Sequence, residues 1–361
     1  MTVVVTKEIT KIYGETKAVD HVNLEAKDSE FVTLLGPSGC GKSTTLRIIA
    51  GLIKADEGRV YFNSKDMTDL PPNRRNIGFV FQRVALFPHM NVSKNIAFGL
   101  KARHFPQAKI NKRIKEVLAI VHMSGYEKRS PAQMSGGQAQ RIEIARVLAT
   151  DPDVLLFDEP LSNIDAKLRD ELKFEIRKIQ RETRKTMIYV THDQSEAFAI
   201  SDKIYVINQG AVDQVGTPEQ LYTDPSTPFV AGFIGQNNFV SGKVEKLDES
   251  SRIGTVLTAS FSTETIIPEG ISSDSSVTLC IRPEDIEVLQ GPKFPSNAIG
   301  AKILESVFMG NTTRLHVDVK GTILKVDLRG PERFSYLNTK DKDIALSMTK
   351  SSIIKSEMQS T

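Results

Sequence analysis

A glycine-rich segment constrains this chain more than any other part of its sequence. It follows a predicted strand, opens a predicted helix and reads Gly36-Pro37-Ser38-Gly39-Cys40-Gly41-Lys42-Ser43-Thr44. It fits the phosphate-loop pattern G-x-x-x-x-G-K-[ST], in which glycines let consecutive main-chain N–H groups point inward at a helix N-terminus. This phosphate loop is predicted to bind a nucleoside triphosphate, with Lys42 near the β- and γ-phosphates and the Ser43 hydroxyl directed at Mg²⁺.

A short apolar run that ends in two carboxylates gives a second candidate site. Val154-Leu155-Leu156-Phe157 is followed directly by Asp158 and Glu159, as at the tip of a buried strand. We expect Asp158 to help hold Mg²⁺ and Glu159 to act as the general base that activates an attacking water. Alone, the pattern is equally that of a strand stopped by charged turn residues. The phosphate loop favours the catalytic interpretation.

A small turn before a helix gives a third candidate site. This Ser-Gly-Gly turn, Ser135-Gly136-Gly137-Gln138, precedes a predicted helix at 139–150, and helix N-termini attract anions. Without its context the turn is simply a helix cap made by Ser135. Two phosphate sites about a hundred residues apart cannot obviously serve one nucleotide within one chain. We therefore expect two chains to pair head to tail, with each nucleotide between the phosphate loop of one and the Ser-Gly-Gly turn of the other.

The order of predicted elements indicates an α/β domain followed by an all-β domain. Short β-branched runs first alternate with helix-period segments, which predicts βαβ units, a mainly parallel sheet and, with the phosphate loop, an α/β P-loop NTPase fold. Residues 98–150 read as consecutive helices and predict a helical subdomain. From residue 236 short strands and turn residues recur, which predicts a small all-β, OB-like barrel. The expected domains are 1–235 and 236–361.

The composition sets limits on localisation and partners. No apolar run among the 361 residues reaches the roughly 18 needed to cross a bilayer, and the N-terminus has no secretory signal pattern. The net charge of +3 neither demands nor excludes nucleic acid. Cys40 and Cys280 lie far apart in the sequence, which favours a reducing compartment. We expect a cytoplasmic protein.

Further short motifs give the chain a close resemblance to the ATPase subunits of ABC transporters, over residues 3–235. The residues that carry it are Tyr13 in Ile12-Tyr13-Gly14, Gln82 after Phe79-Val80-Phe81, Asp165 at the end of Leu161-Ser162-Asn163-Ile164-Asp165, and His192 in Tyr189-Val190-Thr191-His192-Asp193. These motifs occur in the order that the family requires. Together with the phosphate loop, the acidic strand and the Ser-Gly-Gly turn, they make the resemblance highly specific.

The resemblance implies a role for each of these four residues. Tyr13 would stack on the adenine of ATP, the alternative being an exposed loop tyrosine. Gln82 would sense Mg²⁺ and the attacking water and face a membrane subunit, the alternative being a surface glutamine. Asp165 would link the two active sites of a dimer and can cap a helix at the same time. His192 would contact the γ-phosphate and brace the attacking water, where a lone histidine is otherwise structural.

The implied site therefore has three overlapping groups of residues. The catalytic residues would be Lys42, Gln82, Glu159 and His192. The Mg²⁺ ligands would be Ser43, Gln82 and Asp158. The ATP contacts would be Tyr13, the phosphate loop Gly36-Pro37-Ser38-Gly39-Cys40-Gly41-Lys42-Ser43-Thr44, the turn Ser135-Gly136-Gly137-Gln138, and Asp165.

Two further segments resemble solute importers in particular. They are Ala85-Leu86-Phe87-Pro88-His89-Met90-Asn91-Val92, similar to a membrane-contacting segment, and Ile281-Arg282-Pro283-Glu284-Asp285, similar to the accessory barrel of sugar, polyamine, iron and sulfate importer ATPases. The resemblance implies a homodimer, or a dimer with a closely related ATPase subunit, bound to two integral-membrane permease subunits. The chain would lie at the cytoplasmic face of the cell membrane, with an extracytoplasmic solute-binding protein as an indirect partner.

The implied mechanism is a clamp that closes on two MgATP, moves the permeases and reopens after hydrolysis. Polyamine is the first expectation for the solute, and ferric iron, sulfate and sugar are alternatives. A different class is a soluble ABC ATPase that acts on nucleic acid. Such proteins usually carry two cassettes or a long coiled coil, and this sequence shows one cassette and no sustained heptads. We therefore expect no nucleic-acid partner.

Overall fold

The chain divides by its contacts into two compact units. The computed structural model describes residues 2–289, 298–348 and 351–355, and the units are Met1–Glu219 and Gln220–Thr361. The division falls earlier than the predicted boundary between 235 and 236, and the predicted end of the second domain, 356–361, lies outside the described residues. Arg282 explains the earlier division, because it ties the segment before residue 236 to the second unit. Its guanidinium donates to the main-chain oxygens of Tyr222, Ile234 and Gln236.

The first unit alternates strands and helices, as predicted. Its strands are β1 Val4–Tyr13, β2 Thr16–Ala26, β3 Phe31–Leu35, β4 Glu57–Phe62, β5 Lys65–Asp66, β6 Ile77–Val80, β7 Val154–Asp158, β8 Thr186–Thr191, β9 Lys203–Asn208 and β10 Ala211–Gly216. Its helices are α1 Lys42–Ala50, α2 Val92–Ala102, α3 Gln107–Ile120, α4 Gly136–Ala149, α5 Ala166–Thr183 and α6 Gln194–Ile200, and α7 Pro218–Thr223 spans the division. Single 3-10 turns occupy Pro72–Arg74 and Pro131–Gln133.

A six-stranded sheet in the order β10-β9-β3-β8-β7-β6 forms the centre of this unit. Its strands pair in parallel except at the edge, where β10 is antiparallel to β9. Every residue of β3, β7 and β8 is buried, which is what a parallel sheet covered on both faces requires. The predicted α/β class is confirmed.

Alternate residues of the buried strands face two different cores, because side chains along a strand point to opposite faces. Leu155 and Phe157 pack with the buried residues of α2, α3, α4 and α5. Val154 and Leu156 pack with α1 and with a second, antiparallel sheet in the order β2-β1-β4-β5. The sheet thus separates the phosphate-loop helix from the helical segment.

The helical segment begins earlier than the predicted residue 98. Helix α2 starts at Val92, because the Asn91 side chain accepts a hydrogen bond from the Lys94 N–H at 2.9 Å and caps the helix. Helices α2, α3 and α4 together extend to Ala149. No helix in the described ranges is long and apolar enough to span a membrane.

The second unit is rich in antiparallel strands, as the sequence predicts. Its elements are α8 Pro228–Phe233, β11 Asn238–Leu247, β12 Ile253–Thr258, β13 Ser262–Ile266, β14 Ser276–Ile281, β15 Ile286–Leu289, β16 Ile299–Phe308, β17 Thr313–Val319, β18 Thr322–Leu328, β19 Asp343–Met348 and β20 Ser352–Lys355, with 3-10 turns at Pro283–Asp285 and Gly330–Phe334. The strands form two five-stranded sheets, β13-β12-β11-β14-β20 and β15-β19-β16-β17-β18. Apolar residues of both sheets share one core, so the predicted change to a β-rich second domain is confirmed.

Candidate active site

The phosphate loop curls between the end of β3 and the start of α1. A Cβ atom added at Gly36 would lie 2.2 Å from the main-chain oxygen of Ile207, and one at Gly41 would lie 2.1 Å from that of Ala18. Gly41 also has a φ of +102°, which favours glycine. Along the loop Ser38 and Gly39 are exposed, whereas Pro37, Ser43 and Thr44 are half-buried. The close approach of other backbone segments explains why this loop needs glycine.

Lys42 is held inside the curl of the phosphate loop. The residue is 4% exposed, and its ammonium group donates to the main-chain oxygens of Gly36 at 2.8 Å and Pro37 at 2.7 Å. The Sγ atom of Cys40 lies 3.8 Å from the same nitrogen. Burial raises the pKa of the Cys40 thiol although Lys42 opposes the shift. The thiol is therefore neutral and adds no negative charge to a loop that would bind phosphates.

Asp158 ends β7 with both carboxylate oxygens engaged. Oδ1 accepts a hydrogen bond from Ser43 Oγ at 2.6 Å, and Oδ2 accepts one from Arg47 Nη2 at 3.1 Å. Asp158 is 2% exposed, so these bonds compensate a buried charge. Arg47 was not among the residues predicted from the sequence. Its place four residues after Ser43 on α1 could have indicated that both side chains lie on one helix face.

Three predicted catalytic residues meet at the carboxyl edge of the parallel sheet. Glu159 Oε2 lies 3.2 Å from His192 Nδ1 and accepts a hydrogen bond from Gln82 Nε2 at 3.3 Å. The three residues follow β7, β8 and β6, which are neighbours in the sheet. Because the carboxyl ends of parallel strands share one edge, loops distant in sequence converge there. The arrangement can hold a carboxylate against an imidazole and an amide.

The Glu159 backbone is strained and well fixed. Its φ of +46° lies in the left-handed region, where a residue with a side chain costs on the order of 1–3 kcal/mol. Its N–H donates to the Val190 oxygen at 3.1 Å, and its own oxygen accepts from Ser162 Oγ at 3.0 Å. These bonds aim the carboxylate toward the sheet edge, a role for Ser162 that its motif did not indicate.

Gln82 lies beyond its strand and not at the strand's end. Strand β6 ends at Val80, so Gln82 follows it by two residues, and its side chain is exposed. The exposed glutamine is still not free, because its main-chain oxygen accepts from Asn163 Nδ2 at 3.0 Å. The loop after β6 is thereby tied to the loop after β7.

A buried polar network below His192 was not foreseen from the sequence. Glu196, which is 3% exposed, accepts hydrogen bonds from the Tyr189 hydroxyl and from Thr191 Oγ1, both at 2.9 Å. Burial raises the pKa of Glu196. Arg169 Nε lies 4.0 Å from the other carboxylate oxygen. Because Thr191 directly precedes His192, the network fixes the backbone that carries the imidazole.

The Ser-Gly-Gly turn caps α4. Ser135 Oγ accepts from the Gln138 N–H at 3.3 Å, and Gln138 Oε1 accepts from the Ser135 N–H at 3.2 Å, which is a reciprocal capping box. A Cβ at Gly137 would lie 2.7 Å from Leu168 Cδ2, whereas one at Gly136 would meet no atom within 4 Å. Gly137 thus packs on α5, and the side of Gly136 is open.

Several predicted ATP contacts are not brought to the phosphate loop within one chain. Among the described residues, no hydrogen bond or ion pair joins the Ser-Gly-Gly turn to the phosphate loop. Asp165 caps α5 by accepting from the Leu168 N–H at 3.0 Å. Tyr13 is 50% exposed, with Lys11 Nζ 5.4 Å from its ring centroid. The capping alternatives hold for Ser135 and Asp165, and the ligand roles stay predictions.

Comparison with known proteins gives two family matches. Residues 19–162 match the family model of the ABC transporter, and residues 279–349 match that of the TOBE domain. The first range contains the phosphate loop, the Ser-Gly-Gly turn and the acidic strand. The second range begins in the strand that precedes Arg282 and covers half of the β-rich unit.

Curated relatives match most of this chain. A protein of Clostridium acetobutylicum is 41% identical over 88% of this chain and 87% of its own length. One of Clostridioides difficile is 42% identical, over 88% of both chains. One of Borreliella afzelii is 43% identical, over 85% of both. All three are named spermidine/putrescine import ATP-binding protein PotA.

Solved structures share the fold of the first unit. The cassette MJ0796, in a dimeric post-hydrolysis state bound to ADP and Pi, is 35% identical with a TM-score of 0.53, covering 60% of this chain and 98% of that one. CbiO1 of Clostridium perfringens, part of the complex cbiONQ, is 29% identical with a TM-score of 0.57, covering 60% and 89%. The sequence matches and the site together show that this chain belongs to the ATP-binding subunits of ABC transporters that carry a C-terminal TOBE domain.

Proposed function

We propose that this chain hydrolyses ATP to power the import of polyamines such as spermidine and putrescine. The observation that carries the hydrolytic part is the meeting of Gln82, Glu159 and His192 at the sheet edge where Asp158 accepts a hydrogen bond from Ser43 of α1. The names of the curated relatives support the solute class. Ferric iron, sulfate and sugars remain the alternative solutes.

The proposed roles follow from charge and position. Lys42 holds its ammonium charge inside the phosphate loop, where it would stabilise negative charge on the β- and γ-phosphates. Glu159 is the proposed general base, which takes the proton of the water that attacks the γ-phosphorus. His192 and Gln82, both in contact with the Glu159 carboxylate, would orient that carboxylate and the water. The exposed ring of Tyr13 would stack on adenine.

The residues beside the phosphate loop suit Mg²⁺. The Ser43 hydroxyl and the Asp158 carboxylate meet at 2.6 Å, and hard oxygen atoms of this kind are the ligands that Mg²⁺ prefers. Gln82 is the third proposed ligand, although its amide contacts Glu159 and would have to turn. Mg²⁺, when bound, supplies neutralising charge to the phosphates. Asp158 would hold it through water, while Arg47 keeps the carboxylate in place.

The proposed active unit is a dimer on a membrane complex. The phosphate loop and the Ser-Gly-Gly turn share no polar contact in the described part of one chain, and Gly136 is open, so a second chain could complete each site. The dimeric solved relative supports this arrangement. We further propose a homodimer, or a pair with a closely related ATPase subunit, bound to two permease subunits at the cytoplasmic face of the membrane. A solute-binding protein would act through the permeases.

An uptake assay tests the proposed solute. The complete transporter, with its permeases and binding protein, is reconstituted in proteoliposomes with MgATP inside, and entry of labelled spermidine is measured. We expect ATP-dependent uptake that unlabelled putrescine competes for and that sulfate, ferric iron and maltose leave unchanged. Uptake of one of those three instead would refute the polyamine assignment. ATPase activity stimulated by nucleic acid and indifferent to permeases would support the soluble class.

A further inference from the structure

A buried carboxylate on α4 has no part in the proposed hydrolysis. Glu143 is 0% exposed and lies in the middle of the helix that the Ser-Gly-Gly turn begins. Burial raises its pKa to about 7. The main-chain N–H groups of Ala85 and Phe81 and the positive charge of Arg146 lower the pKa and only partly offset the effect of burial. Its Oε2 atom has no hydrogen-bond partner among the described residues. A group that is costly to bury calls for a specific explanation.

The contacts of Glu143 supply that explanation. Its Oε1 atom accepts from the Ala85 N–H at 3.2 Å, and Arg146 Nη1 donates to the Ala85 oxygen at 2.7 Å. Glu143 and Arg146 are one helical turn apart, with Arg146 Nη2 3.6 Å from Glu143 Oε1. Both main-chain polar groups of one loop residue are therefore held by one helix. We call these three residues the Ala85 clamp.

The Ala85 clamp joins two functional segments. One end of α4 is the Ser-Gly-Gly turn, and Ala85 begins the segment 85–92. We take this segment to be the permease-facing one, because it resembles the membrane-contacting segment of solute importers. Asn95 on α2 adds a second point of attachment, because its amide accepts from the Phe87 N–H at 2.8 Å and donates to the Phe87 oxygen at 3.1 Å. A displacement of the helices would therefore carry the segment with it.

We propose that Glu143 is a positioning residue that couples the Ser-Gly-Gly turn to the permease-facing segment through Ala85. Nucleotide bound at the turn would move α4, and the Ala85 clamp would pass that movement to the segment after Gln82. The role depends on the length of the side chain and not on its charge, because a neutral side chain of the same length keeps the acceptor for the Ala85 N–H. The inference rests on the proposed function, since it assumes permeases on this segment.

The test compares ATPase activity with and without permeases. The full chain is assayed alone and in the reconstituted transporter, as wild type, Glu143→Ala, Glu143→Asp and Glu143→Gln. Glu175→Ala is the matched control, because it removes the 2.6 Å ion pair of Arg141 on the same helix without touching Ala85. We expect Ala and Asp to lower permease stimulation about tenfold, as for the loss of a buried hydrogen bond. Basal activity should stay within about twofold, and Gln and the control should retain stimulation.

Each other outcome has a definite meaning. Undiminished permease stimulation in Glu143→Asp overturns the inference. This variant also decides the test if Glu143→Ala does not fold. Equal losses of basal and stimulated activity overturn it too, since they indicate a purely structural role. If Glu143→Gln loses as much permease stimulation as Glu143→Asp, the charge of the side chain matters, and the proposed dependence on its length is contradicted. Failure of wild-type stimulation itself would instead count against the proposed function.

Discussion

Glu159 shows how much of this site depends on a single residue. Its carboxylate contacts His192 and Gln82, and its backbone is fixed in a left-handed conformation by Val190 and Ser162. A residue in such a conformation persists only where its surroundings over-determine it. The strain, the contacts and the place at the end of β7 all favour Glu159 as the base.

Replacement of Glu159 by glutamine tests this assignment. Glutamine keeps the shape of the side chain and removes its ability to take a proton. We expect Glu159→Gln to lower ATP turnover by at least about 10²-fold, the low end for loss of general base catalysis, while ATP affinity is retained. Phosphate release and nucleotide binding measure the two effects. Glu182→Gln, at an exposed position on α5, is the control, and normal turnover in Glu159→Gln would remove the base assignment.

Glu143 gives the stability of the chain a distinctive pH dependence. Its pKa is about 7 in the folded chain against an ordinary 4.5, so the folded chain holds this proton more tightly than the unfolded chain. The contribution of Glu143 to the free energy of unfolding is therefore fully present below about pH 4.5, and it is lost as pH rises through about 7. We expect the unfolding free energy of wild type, relative to Glu143→Gln, to fall by up to about 3 kcal/mol from pH 4 to pH 8. Urea unfolding at several pH values measures it, and a pH-independent difference would contradict the burial of this carboxyl.

At the residue scale, sequence motifs predict the residues that do chemistry better than the residues that hold them in place. Lys42, Glu159 and His192 follow from short motifs because phosphate chemistry restricts residue type and spacing. Glu143 could not be foreseen, since a glutamate within a helix normally lies on the exposed face and its burial depends on the distant Ala85 segment. Arg169 and Glu196 escaped for the same reason, because only folding brings their side chains together.

At the scale of elements, α1 depends on an unusual cap at its C-terminus. Arg75 is 3% exposed and donates to the main-chain oxygens of Ile48 and Ile49 at 2.9 and 2.8 Å, and also to those of Leu70 and Thr68. A cation is favourable at a helix C-terminus. Since α1 begins at the phosphate loop, this cap holds the far end of the helix that positions the loop.

Arg75→Lys should therefore destabilise the chain although the charge is kept. Lysine offers one donor nitrogen where the planar guanidinium uses three, so several buried carbonyl groups would lose their partners. We expect a loss of about 1–3 kcal/mol in the free energy of unfolding. The exposed neighbour Arg74 provides the control, with Arg74→Lys expected within about 0.5 kcal/mol of wild type. Equal stability of the two variants in urea unfolding would show that the cap contributes nothing.

Elements with strong local signals were predictable, and those that depend on pairing were not. The strand before the phosphate loop and strand β7, with its apolar run ahead of Asp158, follow from local sequence patterns. The antiparallel sheet of β1, β2, β4 and β5 was missed, although Val22, Leu24 and Ala26 alternate with exposed residues. The register of β1 and β2 shifts at several bulges, which breaks the simple alternation that indicates a strand.

At the scale of the whole molecule, the chain joins an ATPase cassette to a TOBE domain. The sequence change near residue 236 marks where short strands begin, whereas the contacts divide the chain at Glu219 and Gln220. The difference arises because Arg282 binds main-chain oxygens of the preceding segment. Such a bond between residues far apart in sequence leaves no local pattern. The predicted family and fold class are nevertheless confirmed.

The pairing of chains is the claim on which the account of the site most depends. Within one chain the phosphate loop and the Ser-Gly-Gly turn make no polar contact in the described residues. The turn caps α4, and the loop holds the Lys42 ammonium group. A second chain would bring the turn of one to the loop of the other. Ser130, which begins a capped 3-10 turn near Ser135, offers a matched position for a control.

The most direct test is the mass of the hydrolysis-blocked protein in solution. Glu159→Gln is measured by light scattering with and without MgATP, alone and combined with Ser135→Arg or Ser130→Arg. The account predicts a dimer only with MgATP, its loss with Ser135→Arg despite retained ATP binding, and its persistence with Ser130→Arg. A protein that stays monomeric with MgATP even when its permeases are supplied, or that dimerises equally with Ser135→Arg, would contradict the account.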